Sequence, residues 1–276
     1  MPNYGYYLHY GYTDMNTADF KRMFAALQRE SGGVIKIEDA PRILNNSSLA
    51  VRKLLSRWEK QGWITRLKRG LYLPVPLEAE SAEKWTEDPW ILATILFEPC
   101  YIGGWSACEY WQFTEQIFRE VIVFTHQSIR NRKQTILANS FNLKKIIPKR
   151  FFGTKTVWKG QMKLKVSDPA RTIVDLFDDP SVGGGFRQAA GVLDAYVNST
   201  NKNLPQLLEY MQRFGNKALF NRIGYLFERK YPNEREFIKT CQKGIAKGYS
   251  KLDPTGPSSG SYLRRWNLRI NRDLPL

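Results

Sequence analysis

The sequence predicts an α+β protein with two domains, and three observations support this class. Three helical patterns and two short β-type runs come before residue 80. Beyond them, a basic stretch with alternating residues precedes a series of helical patterns. The 276 residues, of which 42% are hydrophobic, are enough for two domains of ordinary size with a core each.

Three helices are predicted in the N-terminal domain. In NTADFKRMFAALQRESGG, apolar residues recur at i, i+4 and i+7, and two glycines mark the end. The segment IEDAPRIL predicts a second, short helix. Asn46 or Ser47 can cap a third helix, which Gly62 ends. The apolar residues of this third helix share one face: Val51, Leu54, Leu55 and Trp58.

A β-hairpin is predicted directly after the third helix. WITRL and LYLPV are short β-type runs on either side of KRG, and Gly70 suits the turn. Three helices followed by a hairpin is the element order of a winged helix-turn-helix. We therefore predict this fold for the N-terminal domain.

The third helix and the hairpin carry a strong basic bias, with seven Lys and Arg between Arg52 and Arg69 against the single acid Glu59. In a helix-turn-helix the second helix of the motif enters the major groove, and basic residues of the wing contact the flanking backbone. An ordinary solvated helix face is the alternative interpretation, but the bias coincides with the predicted wing. The predicted DNA-binding residues are Ser47, Ser48, Arg52, Lys53, Ser56, Arg57, Lys68 and Arg69.

The domain boundary is predicted near residue 80, because residues 74–89 contain three prolines, five acids and one lysine. We assign residues 1–78 to the winged helix-turn-helix with an aromatic leader and residues 79–89 to a linker. Residues 90–251 form the larger mixed α/β domain, with a basic antiparallel sheet and C-terminal helices. Residues 252–276, rich in Pro, Gly and Ser at their start, are predicted to be a poorly ordered basic tail.

A second basic surface is predicted from residues 127–166, which contain eleven Lys and Arg and no acid. Alternation in TKTVWKGQMKLKV indicates strands with one basic face. This surface is predicted to contact DNA, RNA or a protein partner. Its residues are Arg130, Arg132, Lys133, Lys144, Lys145, Lys149, Arg150, Lys155, Lys159, Lys163 and Lys165.

The net charge of +16, with a pI near 9.7, indicates a polyanionic partner, either nucleic acid or an anionic membrane surface. The longest uncharged apolar stretch is too short to span a bilayer, and the N-terminus has no secretory pattern, so a cytoplasmic protein is expected. Cys100, Cys108 and Cys241 form no CxxC pair, which predicts buried thiols rather than disulfides or a zinc site.

The sequence contains no recognisable catalytic constellation, so we predict neither an enzyme nor a cofactor or metal. His9 and His126 are its two histidines, and neither lies in a ligand-type spacing. Asp168 before Pro169 is interpreted as a helix cap, and Arg171 with Asp175 as a surface or half-buried i, i+4 pair. A nuclease targeted by the winged helix is the alternative, although residues 127–166 lack the carboxylates that would hold Mg²⁺.

Five segments, in this order, resemble the AbiEi-type antitoxins of bacterial type IV toxin–antitoxin systems: LKRGLYLP, GGWSACEYW, EVIVFT, VSDPARTIVDLFDDP and ALFNRIGYLFER. The resemblance covers roughly residues 20–230. The aromatic leader before Thr13 and the tail after Leu252 lie outside it.

The resemblance implies a transcriptional regulator that represses its own abortive-infection (phage defence) operon by binding inverted repeats through the winged helix. It also implies a C-terminal domain that counteracts a nucleotidyltransferase-like toxin without forming a stable complex with it. The family is not known for catalysis. By match to the motif, the DNA-reading positions are Ser47, Ser48, Arg52, Lys53, Arg57, Lys68 and Arg69.

Overall fold

The computed structural model describes residues 17–76, 79, 87–160 and 162–273. The chain divides into two compact units, Met1–Thr86 and Glu87–Leu276. The aromatic leader and His9 lie outside the described residues, as does most of the predicted linker. No helix in the described ranges is both long and apolar enough to cross a membrane.

The first unit contains the predicted three helices and hairpin, together with one short strand that the sequence did not predict. In chain order its elements are α1 (Thr17–Glu30), β1 (Ile35–Lys36), α2 (Ala40–Ile43), α3 (Ser48–Lys60), β2 (Ile64–Lys68) and β3 (Leu71–Pro74). The three strands form an antiparallel sheet in the order β1-β3-β2. Strand β1 was missed because two residues are too short to show a period.

Helix α3 begins and ends where the sequence predicts. Ser47 has extended backbone angles, and its hydroxyl accepts a hydrogen bond from the amide of Ala50 at 3.3 Å. At the other end Gly62, with a φ of +78°, turns the chain after the helix. The apolar face is fully buried, and the Trp58 ring lies edge-on to Phe20 and Phe24 of α1. This packing fixes which face of α3 points to solvent.

The β2–β3 hairpin turns at Gly70, whose φ of +77° favours glycine. A Cβ atom at this position would also lie 2.9 Å from the Cγ2 of Ile37. The predicted turn residue is therefore required both by its backbone conformation and by space.

The second unit contains seven helices and nine strands among the described residues. In chain order they are α4 (Pro89–Phe97), β4 (Cys100–Ile102), α5 (Gly104–Tyr110), β5 (Glu120–Thr125), β6 (Lys133–Ile136), β7 (Asn139–Lys145), β8 (Thr154–Lys159), β9 (Met162–Ser167), α6 (Pro169–Asp178), α7 (Phe186–Asn198), α8 (Leu204–Phe214), α9 (Ala218–Lys230), α10 (Arg235–Gly244), β10 (Ser250–Lys251), β11 (Ser261–Leu263) and β12 (Leu268–Ile270). The predicted C-terminal helices are present as α6 to α10.

The main sheet is mixed, so the predicted antiparallel sheet is wrong in this respect. Its six strands run in the order β6-β7-β5-β4-β9-β8. Strand β5 pairs in parallel with β7, and β4 pairs in parallel with β9, while the other neighbours are antiparallel. The alternation of apolar and polar residues indicates which face of a strand is buried but not whether the neighbouring strand is parallel or antiparallel. The sequence pattern therefore could not reveal the two parallel pairs.

Helix α6 lies in the core of the second unit. Nine consecutive residues of this helix, from Pro169 to Phe177, are buried. It contacts α5, α7, α8, α9 and β9, which explains why its sequence pattern combines apolar residues with buried polar ones.

The predicted poorly ordered tail is wrong for residues 252–273, which are folded into the second unit. Strands β10, β11 and β12 form a small sheet in the order β10-β12-β11. Trp266 and Leu268 are fully buried in the main hydrophobic core, and the Trp266 indole donates a hydrogen bond to Glu228 at 2.6 Å. Composition suggested disorder, but it does not reveal that Trp266 and Leu268 bury apolar surface in the core.

Candidate nucleic-acid interface

The exposed side of α3 carries a row of cations, which we call the α3 basic face. Its residues recur at helical spacing and line a shallow depression of about 470 Å³: Arg52, Lys53, Ser56, Arg57 and Lys60. Four of them are exposed and Arg57 is half-buried. The opposite side of the helix is buried in the core through Val51, Leu54, Leu55 and Trp58. Because this packing prevents rotation of the helix, the cations stay on the solvent side.

The cations of the α3 basic face make no hydrogen bond or ion pair with any residue that the structure describes. The nearest acid along the helix is Glu59, which is half-buried and makes no ion pair there either. Uncompensated like charges on one helix face repel each other, which a nearby polyanion would relieve. The face therefore carries positive charge that no described residue compensates.

The remaining predicted residues of the first unit lie at the start of α3 and at the hairpin turn. Ser47 and Ser48 are exposed at the N-terminus of α3, and the Ser47 side chain is occupied as the cap. Lys68 and Arg69 are exposed at the hairpin turn, next to an irregularity in the β2–β3 register. Lys60 was not among the predicted site residues, although it lies seven positions after Lys53 on the same helix face, which is the signal that could have identified it.

Four of the eleven cations predicted as a second basic surface have partners within the second unit. Lys144 pairs with Asp179, Lys159 pairs with Asp88 at 2.7 Å, and Lys133 lies 3.3 Å from Glu120. The Arg150 guanidinium donates to the carbonyl of Phe214 and lies 4.0 Å from the centroid of its ring. These four side chains stabilise the fold, and their charge is partly neutralised.

The other seven predicted cations are exposed, and they are not gathered on one element. They are Arg130, Arg132, Lys145, Lys149, Lys155, Lys163 and Lys165. Strands β8 and β9 contribute the last three, and Lys155 lies 5.1 Å from the centroid of the Trp111 ring. The basic segment therefore does not form one uniform surface.

The SDPARTIVDLF segment forms a buried polar network. Asp168 caps α6 by accepting from the Arg171 amide, as predicted, and also accepts from the Tyr210 hydroxyl at 2.8 Å. The predicted Arg171–Asp175 pair is present at 2.9 Å, but both side chains are buried rather than at the surface. Tyr101 bonds to both members of this pair, and the Phe152 carbonyl accepts from the guanidinium.

Burial shifts the pKa of the acids in this network. Loss of solvent raises the pKa of Asp175 to about 6, although Arg171 and Tyr101 act in the opposite direction. Loss of solvent also raises the pKa of Asp168, partly offset by the bonds from the Arg171 amide and from Tyr210. Every polar group of the pair has a partner, so its geometry is that of a structural network.

The cysteines are buried free thiols, as the sequence predicts. Burial raises the pKa of Cys100 and Cys241 to about 12, so both remain protonated at neutral pH. His126 follows β5 directly, and its Nδ1 atom is buried without a hydrogen-bond partner in the described structure. Nowhere in the described ranges do three His, Cys, Asp or Glu side chains gather as potential metal ligands.

The first unit is a small α+β domain whose third helix carries a solvent-facing row of cations. Residues 22–75 match the model of a family described as "Transcriptional regulator, AbiEi antitoxin". The resemblance seen in the sequence is confirmed for residues 22–75.

Among solved structures, the chain is similar to the crystal structure of the RV2827C protein from Mycobacterium tuberculosis. The two are 13% identical with a TM-score of 0.62, and the alignment covers 90% of this chain and 89% of that chain. At this identity the likeness is one of fold, and it supports the mixed α+β class. A comparison with curated proteins finds no match.

Proposed function

We propose that the chain is a DNA-binding autorepressor and antitoxin of a type IV toxin–antitoxin operon. In this proposal α2 and α3 act as the helix-turn-helix, β2–β3 acts as the wing, and the α3 basic face enters the major groove of inverted repeats near the promoter. The observation that carries it is the set of cations on α3 that have no partner among the described residues, within a segment that matches a transcriptional-regulator family.

The geometry of α3 supports reading by the side of the helix on which Arg52 and Arg57 lie. Ser48 and Arg52 lie in the first turns of the helix, where a recognition helix presents side chains to base edges. Arg52 and Arg57 have the bidentate donors that suit guanine, whereas Lys68 and Arg69 at the hairpin tip suit phosphate contacts. Arg52 and Arg57 are therefore proposed to specify sequence, and the hairpin tip to position the domain.

The second unit is proposed to counteract a nucleotidyltransferase-like toxin in a phage-defence (abortive infection) system. This step rests on the family resemblance, because the family model matches residues 22–75 of the first unit alone. Following the resemblance, no stable complex with the toxin is expected. Purification of the co-expressed pair at moderate salt tests this point, and a co-eluting toxin would contradict it.

The autorepressor proposal is tested with Arg52→Ala combined with Arg57→Ala in the full chain. Fluorescence anisotropy on the DNA upstream of its own gene, with a scrambled duplex for comparison, should show at least tenfold weaker binding and loss of discrimination, since a good bidentate base contact contributes about 1–3 kcal/mol. The matched control is Lys21→Ala combined with Arg29→Ala, which removes the same charge from exposed positions of α1. Equal affinity of the two double variants would contradict the assignment of α3 as the recognition helix.

A further inference from the structure

Trp158 is an exposed tryptophan on an edge strand of the main sheet. Its relative exposure is 62%, whereas Trp105 and Trp266 of the same unit are buried. It lies on β8, the last strand in the order β6-β7-β5-β4-β9-β8. Its indole ring is therefore exposed to solvent on the outermost strand of the sheet that the structure describes.

Cations from the neighbouring strand lie on the same side of the sheet as this ring. Trp158 is directly opposite Lys163, and Thr156 is opposite Lys165, so all four side chains share one face of the β8–β9 pair. The Lys163 ammonium lies 4.8 Å from the centroid of the Trp158 ring. We call Thr156, Trp158, Lys163 and Lys165 the Trp158 platform.

The β8–β9 register holds the platform in place. Leu164 and Val166 alternate with the two lysines and are buried on the other side of β9. Lys163 and Lys165 are about 7 Å apart along the strand, and both are exposed. The Lys165 ammonium lies 5.2 Å from the centroid of the Phe151 ring, which extends the row of aromatic and cationic groups.

A cavity of about 280 Å³ opens next to the platform. Its lining includes three platform residues, Thr156, Lys163 and Lys165, together with the ring of Phe151. Glu98 is the one carboxylate among its lining residues. The concave surface beside the ring is therefore basic and partly aromatic.

Protection of the strand edge does not account for this arrangement. Lysines on an edge strand prevent pairing with another chain, which explains Lys155 and Lys159 of β8 but not Lys163 and Lys165, which lie on the inner strand β9. The exposed indole of Trp158 on β8 has the opposite effect, because it adds apolar surface at the edge. Trp105 and Trp266 have clear structural roles, since Trp105 stacks on Phe118 and Trp266 bonds to Glu228.

We propose that the Trp158 platform binds single-stranded nucleic acid, with an unpaired base stacked on the Trp158 ring and the adjacent phosphates held by Lys163 and Lys165. An exposed aromatic ring flanked by cations is the combination that binds unpaired strands, because every base has a stacking face and the backbone is anionic. In a duplex these base faces are covered by neighbouring bases. The partner is therefore unpaired rather than double-stranded, and the binding tolerates different sequences.

The test is fluorescence anisotropy of the full chain with labelled single strands of oligo(U) and oligo(dT). Loss of one base-stacking contact predicts about tenfold weaker binding for Trp158→Ala and near-normal binding for Trp158→Phe. Tyr249→Ala, which removes an exposed ring elsewhere in the second unit, is the matched control and should bind like wild type. Lys163→Ala with Lys165→Ala should lower the salt slope by about 1.4, because each single-strand phosphate contact contributes about 0.7.

The outcomes separate this proposal from operator binding. Loss on both oligonucleotides supports recognition of the shared base and phosphate chemistry, and loss on oligo(U) alone identifies RNA as the partner. Wild-type affinity of Trp158→Ala for both strands, or a loss confined to duplex DNA, would overturn the proposal. In a background of Arg52→Ala with Arg57→Ala, Trp158→Ala should weaken single-strand binding by the same factor as in wild type. Failure of the α3 proposal and failure of the Trp158 proposal are therefore distinguishable.

Discussion

The α3 basic face and the basic segment of residues 127–166 have similar compositions but different structural environments. On α3 the cations lie along one helix face and have no partner among the described residues. In residues 127–166, four of the eleven cations, Lys133, Lys144, Arg150 and Lys159, are engaged by acids or by an aromatic ring and a carbonyl, while the other seven are exposed. The difference teaches that the availability of charge, rather than its count, distinguishes a candidate binding surface from charge that stabilises the fold.

Arg171 is fully buried and paired with Asp175, and its removal should produce the largest effect on stability. Arg171→Ala leaves the Asp175 carboxyl buried without its cation, which should lower the free energy of unfolding by about 3–5 kcal/mol. Urea denaturation followed by circular dichroism measures this change. The control Arg187→Ala removes an exposed arginine from α7 and should change stability by less than about 0.5 kcal/mol. Similar stability of the two variants would show that the network is not structural.

The α3 basic face should give the largest effect on DNA affinity and its salt dependence. Lys53→Ala with Lys60→Ala, which removes the two lysines of this face, should reduce the slope of log K against log salt by about 1.8, since each phosphate contact contributes about 0.9. The comparison variant is Lys133→Ala with Lys144→Ala, which removes two engaged cations. Its slope on the same duplex should stay near the wild-type value. Equal slopes for the two variants would contradict the claim that cations without a partner contribute more to DNA binding than cations paired within the fold.

Lys144 should contribute a smaller amount to stability than Arg171. Its pair with Asp179 is partly exposed, with side-chain exposures of 25% and 19%, so solvent screens the interaction. Lys144→Ala should therefore lower the free energy of unfolding by about 1 kcal/mol, measured by urea denaturation. Lys145→Ala, at the adjacent exposed position, should be nearly neutral. A loss as large as that of Arg171→Ala would mean that partial exposure does not weaken the pair.

Asp253 should give the smallest effect, visible as a dependence of stability on acid pH. Burial acts to raise its pKa, but hydrogen bonds from Thr255 and Arg272 outweigh this and lower the pKa below the ordinary value of 3.8. The contribution of the charged carboxylate to stability is therefore complete above pH 3.8, the pKa of the unfolded chain. This contribution is lost as the pH falls through the lower pKa of the folded state.

The measurement for Asp253 is the thermal midpoint of wild type and Asp253→Asn between about pH 5 and pH 2. The wild type should be more stable at the upper end, and the difference should shrink as the pH falls. A constant difference would contradict the role of the charged form. Asp175 is common to both proteins, so its raised pKa does not affect the comparison.

Much of the local structure could be predicted because it depends on neighbouring residues. The apolar period and the Ser47 cap determine α3, Gly70 determines the hairpin turn, and Asp168 with Pro169 determines the start of α6. The same periodicity indicated which face of α3 is solvent-exposed. The proposed DNA-binding residues on that face are consequences of this local pattern.

The parallel strand pairs, the buried tail and the partners of the basic residues could not be predicted. Lys144, Arg150 and Lys159 find their partners 35, 64 and 71 positions away in the sequence. Trp158 and Trp266 are both tryptophans in basic segments, yet one is exposed and the other is buried. No local pattern distinguishes the two.

The sequence by itself therefore determined the three helices and the hairpin of the first unit, its basic bias, the caps and most helices of the second unit. The tertiary structure alone decided that the main sheet is mixed, that Arg171 is buried, that residues 252–273 are folded, and that Trp158 lies exposed beside Lys163. The physical reason is that helical period, capping and turn conformation are set by residues within a few positions of each other. Burial and charge pairing depend on contacts between segments distant in the chain, which no local pattern records.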